Sequence, residues 1–231
     1  MKFGVSRGAL LASALTAVVA FAPAASASEP DRGRPATWTG LYVGVHFGAA
    51  QSEVDWGDVS LVGLPVNNDA SGVMGGGQIG YNAQFGHLVL GLEASISGAA
   101  LSDRDFSTGG GISFGTSFNW IGTVTGRLGY AADHWMVYGK GGWAAADLRL
   151  SGNNPILPDS FSLTDTVSGW TAGAGIEWKL ASNVSLAVEY NFIDLGTFDR
   201  SGTTVQGLAF NLSDVDVQVQ SVTARINVRL P

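Results

Sequence analysis

Eight segments of this sequence alternate apolar residues with polar or small ones at every second position, and the connections between them alternate between long and short. A period of two marks a β-strand whose two faces meet different surroundings. The third segment, 88–98, is the clearest. Leu88, Leu90, Leu92, Ala94 and Ile96 share one face, and Val89, Gly91, Glu93, Ser95 and Ser97 share the other. The first sets Leu41, Val43, Val45, Phe47 and Ala49 against Tyr42, Gly44, His46 and Gly48. The others span about 75–84, 119–130, 135–145, 169–180, 184–194 and 216–230. The connections 51–74, 99–118, 146–168 and 195–215 are long, whereas 85–87, 131–134 and 181–183 are short. This predicts an up-and-down meander with every short turn at one end. Of the seven prolines, none before the last residue falls inside a predicted strand, where it would delete a ladder hydrogen bond.

The surroundings of the two faces follow from composition. Only 13% of residues are charged, against about 25% in a typical globular protein, and mean hydropathy is +0.20. Beyond the N-terminal stretch no apolar run approaches the length of a membrane helix. Alternating strands therefore have to carry the apolar surface, as a lipid-facing barrel does. A soluble up-and-down barrel would point the same apolar residues inward. Aromatic placement separates the two. Trp38, Phe85, Tyr130, Trp135 and Trp178 lie near the short-turn end, and Phe47, Trp120, Trp143, Trp170 and Phe192 near the long-connection end. Two aromatic rings at the strand ends fit the two interfaces of a bilayer. The predicted fold is all-β, an eight-stranded antiparallel up-and-down transmembrane β-barrel.

The first 27 residues read as a cleaved signal peptide. Lys2 and Arg7 precede an apolar run, and Ala25-Ser26-Ala27 supplies the small-residue cleavage pattern, which places the mature start at Ser28. Removing the two cations takes the net charge from −7 to −9. Residues 28–37 read as a disordered lead-in and 38–231 as the barrel, exported to the cell outer membrane. The chain has no cysteine, so no disulfide holds it together.

The inward face is predicted to carry Glu93, Arg127, Lys140, Glu177, Lys179, Glu189, Arg225 and Arg229. Eight strands enclose room for side chains but no wide channel, so these charges are expected to pair as a structural plug. Glu93 and Arg127 fall on neighbouring strands, with Lys140 on the next. His46, His87 and His134 have no metal-ligand spacing. His46 is the one histidine placed for chemistry near the outer rim, with no identifiable partner. No cofactor, metal site or catalytic set is predicted. Gly75-Gly76-Gly77 and Gly109-Gly110-Gly111 lack the Lys-Ser/Thr of a phosphate loop. The first long connection carries Glu53, Asp55, Asp58 and Asp69 without a base, which gives no case for nucleic acid.

Seven motifs in order add a resemblance. They are Trp38-Thr39-Gly40-Leu41-Tyr42-Val43-Gly44, Gly75-Gly76-Gly77-Gln78-Ile79-Gly80-Tyr81-Asn82, Val89-Leu90-Gly91-Leu92-Glu93, Gly126-Arg127-Leu128-Gly129-Tyr130, Gly169-Trp170-Thr171-Ala172-Gly173-Ala174-Gly175-Ile176-Glu177, Val188-Glu189-Tyr190 and Asp194-Leu195-Gly196. Together they resemble the small porin-like outer-membrane proteins of alphaproteobacteria, the RopB type, whose membrane domain is similar to that of OmpA. The resemblance implies a non-enzymatic surface protein that supports envelope integrity and meets host or surface ligands through its loops. It also implies outer-membrane lipids, lipopolysaccharide and the barrel-assembly machinery as partners. A narrow porin-like channel for small solutes is the alternative. Family members end in an aromatic residue read during assembly, whereas this sequence ends Val228-Arg229-Leu230-Pro231.

Overall fold

The computed structural model describes residues 37–56, 58–59, 66–102, 106–107, 113–154, 159–203 and 209–231. The predicted signal peptide, the lead-in up to residue 36 and Gly109-Gly110-Gly111 lie outside these residues. Eight long strands run in chain order: β1 Gly40–Trp56, β2 Val66–Phe85, β3 Leu88–Ser102, β4 Ser113–Ala132, β5 Trp135–Asn154, β6 Asp159–Lys179, β7 Val184–Thr203 and β8 Ala209–Arg229. Each pairs antiparallel with the next, and β8 returns to β1 from Tyr42↔Arg229 to Asp55↔Asp216. The sheet is thus a closed barrel with the predicted meander topology, and closure leaves its membrane span without an edge. Two short pieces, Asp58–Val59 and Phe106–Ser107, add to β8 and β4.

The faces are turned inside out relative to a soluble protein. Leu92 is 69% exposed and its neighbour Glu93 is 2% exposed. Leu41, Val45, Phe47, Ile79, Val124, Leu128 and Ile176 are likewise exposed, while Gln78, Asn82, Thr125, Thr171, Thr223 and Asn227 are buried. Apolar groups gain nothing from facing water, so this outer surface requires lipid.

The strands are longer than the alternation predicts. β2 begins at Val66 rather than near 75, β6 at Asp159 rather than 169, and β8 at Ala209 rather than 216. Most of the predicted long connections is therefore ladder. The alternation fades there. Past the alternating stretch the sequence is polar at successive positions, as in Val66-Asn67-Asn68-Asp69-Ala70-Ser71, while the backbone pairing continues.

Beyond the outer aromatic row the described strands pair unevenly. β3 and β4 stop at Ser97↔Ile121, and β6 and β7 stop at Trp170↔Asp194. By contrast β4–β5 runs on to Ser113↔Asn153 and β7–β8 to Ala209↔Thr203. The projecting part thus divides at two seams into one lobe of β4–β6 and another of β7, β8 and β1–β3. A bulge stands at each seam. One lies in β4 between Phe118 and Trp120. The other lies in β7 at Asp194-Leu195-Gly196, where Asp194 Oδ1 accepts the Gly196 N–H at 2.8 Å. Gly196 has φ +75°, a conformation that favours glycine. The motif noted in the sequence is therefore a bend that swings outer β7 away from β6.

Trp38 corrects the predicted inner aromatic ring. It is only 5% exposed and packs inside the short-turn mouth against Val89, Ala131, Met136 and Tyr138. It precedes the first ladder pair and shares the inward parity of Tyr42, and those inward apolar groups leave a hole that an indole fills.

Candidate functional site: the filled lumen

The inward side chains form layers. At the centre, Glu93 and Glu189 are bridged twice. Lys140 Nζ reaches Glu93 Oε1 at 3.2 Å and Glu189 Oε1 at 2.7 Å. Arg225 Nη2 reaches Glu93 Oε1 at 2.8 Å, and its Nη1 pairs with Glu189 Oε2. Four charges from β3, β5, β7 and β8 thus close a ring across the lumen. Arg127 stands apart and pairs with Glu177. Glu93 and Arg127 lie inward on neighbouring strands, as the sequence places them, while the ion pair of Arg127 is with Glu177 on β6. Ser185 Oγ and Asn227 Nδ2 donate to Glu177 Oε1 at 2.5 and 2.9 Å. All six predicted central charges, Glu93, Arg127, Lys140, Glu177, Glu189 and Arg225, meet in one network. Removing one partner from such a network leaves a buried charge uncompensated.

Two residues of this layer escaped the sequence reasoning. Tyr42 and Tyr138 donate their hydroxyls to Glu93 Oε2 and Glu189 Oε2, each at 2.7 Å. Arg127 lies with its guanidinium carbon 3.5 Å from the Tyr138 ring centroid and donates to the Tyr42 hydroxyl at 3.2 Å. Each phenol crosses a strand at a glycine. A Cβ on Gly80 would lie 2.4 Å from the Tyr42 hydroxyl, and one on Gly175 would lie 2.5 Å from that of Tyr138. The signal was an internal repeat. In each half the tyrosine precedes its glutamate by 51 residues. Val124-Thr125-Gly126-Arg127 then answers to Val222-Thr223-Ala224-Arg225.

Above and below, the lumen changes character. His46 has both ring nitrogens engaged, by Gln78 Oε1 at 2.7 Å and Ser97 Oγ at 2.8 Å. Its two partners include no carboxylate, so it is not part of an acid–base dyad. Toward the long-connection end Ala50, Met74, Ile121, Ala144, Val167, Ile193, Val217 and Val219 are buried as an apolar collar. Toward the short turns the Trp38 cluster forms the opposite apolar layer. His87 leaves the lumen to stack on Tyr130 with centroids 5.4 Å apart, and His134 sits exposed in its turn.

The remaining predicted aromatics face outward. Trp135 lies opposite Trp178, and Trp143 opposite Trp170. Trp143, Trp170, Trp178 and Tyr130 are each more than half exposed, and Trp170 meets Phe192 at 5.5 Å between centroids. Trp120 is half-buried beside the β4 bulge.

Relatives carry the same architecture. A solved structure of the outer membrane protein OprG from Pseudomonas aeruginosa matches with a TM-score of 0.52 at 13% identity, over 83% of this chain and 97% of that one. This likeness concerns the fold. The chain is 35% identical over 213 residues to the 31 kDa outer-membrane immunogenic protein of Brucella melitensis, covering 82% of this chain and 88% of the relative. It is 33% identical over 126 residues to the 22 kDa outer membrane protein of Rhizobium leguminosarum bv. viciae, 54% of each chain. The family model for the outer membrane protein beta-barrel domain matches residues 12–224. With an inside-out barrel, a filled lumen and these matches together, the chain belongs to the outer membrane protein beta-barrel family, a small outer-membrane barrel of the alphaproteobacterial kind.

Proposed function

We propose that this protein is a non-enzymatic surface barrel whose work lies in holding the envelope together and presenting its projecting β-lobes outward. The observation that carries this reading is the layered lumen. A cross-bridged ionic layer stands between two apolar ones, Trp38 with Val89, Ala131 and Met136 at one mouth and the collar around Ile121 and Val219 at the other. A solute would have to displace paired charges held between these side chains, and breaking buried ion pairs is costly. The outer ends, by contrast, extend well past the aromatic row as paired strands. The tests are paired. Purified barrel in planar bilayers is expected to give no steady openings, and sustained conductance would turn the reading toward a solute channel. A deletion strain is expected to become detergent-sensitive and to lose adhesion, and a deletion indifferent in both assays would reject the surface role.

A further inference from the structure

We propose that the short-turn mouth of the barrel binds a small oxyanion, a carboxylate or phosphate group, between Lys179 and Arg229. The inward charges sort unevenly. The six central ones balance, three acids against three bases, and every central base is ion-paired. Lys179 and Arg229 are left over, and neither makes an ion pair among the described residues. Both converge on a single neutral atom. Lys179 Nζ donates to the Thr37 carbonyl oxygen at 2.5 Å, and Arg229 Nη1 donates to the same oxygen. Arg229 Nη2 goes to another carbonyl, Ser182 O, at 2.7 Å.

Two cations on one carbonyl are electrostatically unbalanced. A carbonyl dipole offsets little of the repulsion between two full charges, and partial burial of the mouth weakens solvent screening. The nearest acid on the same face, Glu177, is already committed to Arg127, Ser185 and Asn227. The surrounding groups suit an anion. Thr37, Trp38, Ser182, Asn183, Lys179 and Arg229 line one pocket, whose floor is Glu177, a carboxylate that Arg127 already neutralises. The Trp38 ring lies 4.4 Å from Lys179 Nζ and fixes the ammonium over it. An oxyanion taking the place of the Thr37 carbonyl would receive both cations at once, which is the stronger, charge-assisted arrangement. The inference is independent of whether the outer lobes bind anything.

The test uses the full mature barrel, ¹⁵N-labelled and folded in zwitterionic micelles. The Trp38 indole N–H, assigned by its loss in Trp38→Phe, reports on the mouth. Inorganic phosphate and acetate are titrated at ionic strength held constant with chloride. A third arm places the barrel in phosphatidylcholine nanodiscs with and without phosphatidylglycerol. A saturable shift with either free anion identifies a soluble ligand. A shift only with phosphatidylglycerol identifies a lipid headgroup. Lys179→Gln and Arg229→Gln, tested singly after confirming heat-modifiable mobility, are each expected to weaken the response by roughly tenfold, and Lys179→Arg to retain it. No saturable shift in any arm, or one that keeps the affinity of the unchanged barrel in both glutamine variants, would overturn the proposal.

Discussion

Tyr42 reaches from β1 over β2 to donate a 2.7 Å hydrogen bond to Glu93 on β3, and Gly80 is the residue it passes over. The bond exists because the intervening strand offers no side chain at that point. Gly80→Ala is therefore expected to act on Tyr42 as well as on the Leu92 carbonyl oxygen, 2.7 Å from the added Cβ. Tyr42→Phe should cost about 1.5–3 kcal/mol, the range for a hydrogen bond to a charged group. Combining it with Gly80→Ala should cost less than the sum of the two. Urea unfolding midpoints in micelles give the three values, and strict additivity would mean the phenol does not depend on the glycine.

Glu93 holds Lys140 and Arg225 together with Glu189. Glu93→Ala leaves two bases sharing one carboxylate and is expected to destabilise the barrel by about 3–5 kcal/mol. Replacing Lys140 with Met in the same chain should recover part of this loss by removing one unpaired cation. An unmoved urea midpoint for Glu93→Ala would show that water screens the layer.

Trp38→Ala removes the indole that fills the short-turn mouth, with an expected loss of about 3–5 kcal/mol for a large buried aromatic. The temperature at which unheated gel mobility is lost should fall. Trp143→Ala, on the lipid face, should lower it much less. Equal effects would place both tryptophans at the interface.

Gly196→Ala tests the β7 bend. Nothing lies within 4 Å of the added Cβ, and φ is +75°, so the cost is conformational, about 1–2 kcal/mol. Asp194→Ala should add less than its own full cost, since both act on one turn. A neutral Gly196→Ala would mean that the bend is not held by its backbone conformation.

Topology is open to labelling because the chain has no cysteine of its own. Single cysteines at Asp55 or Asn153 should react with an impermeant maleimide on intact cells. Those at His134 or Ser182 should react only after the outer membrane is opened. Equal labelling of Ser182 and Asp55 on intact cells would reject this orientation.

The membrane part of this fold was legible because lipid and lumen impose opposite demands on successive residues. Leu92 and Glu93 could be assigned to faces without a structure for that reason. The projecting strands were not legible, since stretches such as Asn67-Asn68-Asp69 carry no apolar–polar alternation. Trp38 lies near a turn, as a girdle residue does, yet it shares its parity with the inward Tyr42 and is buried with it. Glu93 and Arg127 could be recognised as inward, but not as forming their ion pairs with other residues. Partner choice depends on the reach of long side chains across the lumen, and neighbouring strands do not dictate it. The face of Tyr42 was legible beside Gly44 and His46, but its role as a donor was not, because it depends on Gly80 leaving room on the strand it crosses.

The overhanging strands also separate two kinds of selection. A change at the tip of a hairpin such as β5–β6, paired out to Asn154↔Asp159, is carried on a stiff hydrogen-bonded stalk far from the layer of Glu93 and Arg225. Under the surface role proposed above, the projecting strands can diversify without disturbing the charge layer inside the barrel. The seams extend that freedom, because a lobe altered on one side need not be matched by compensating changes on the other.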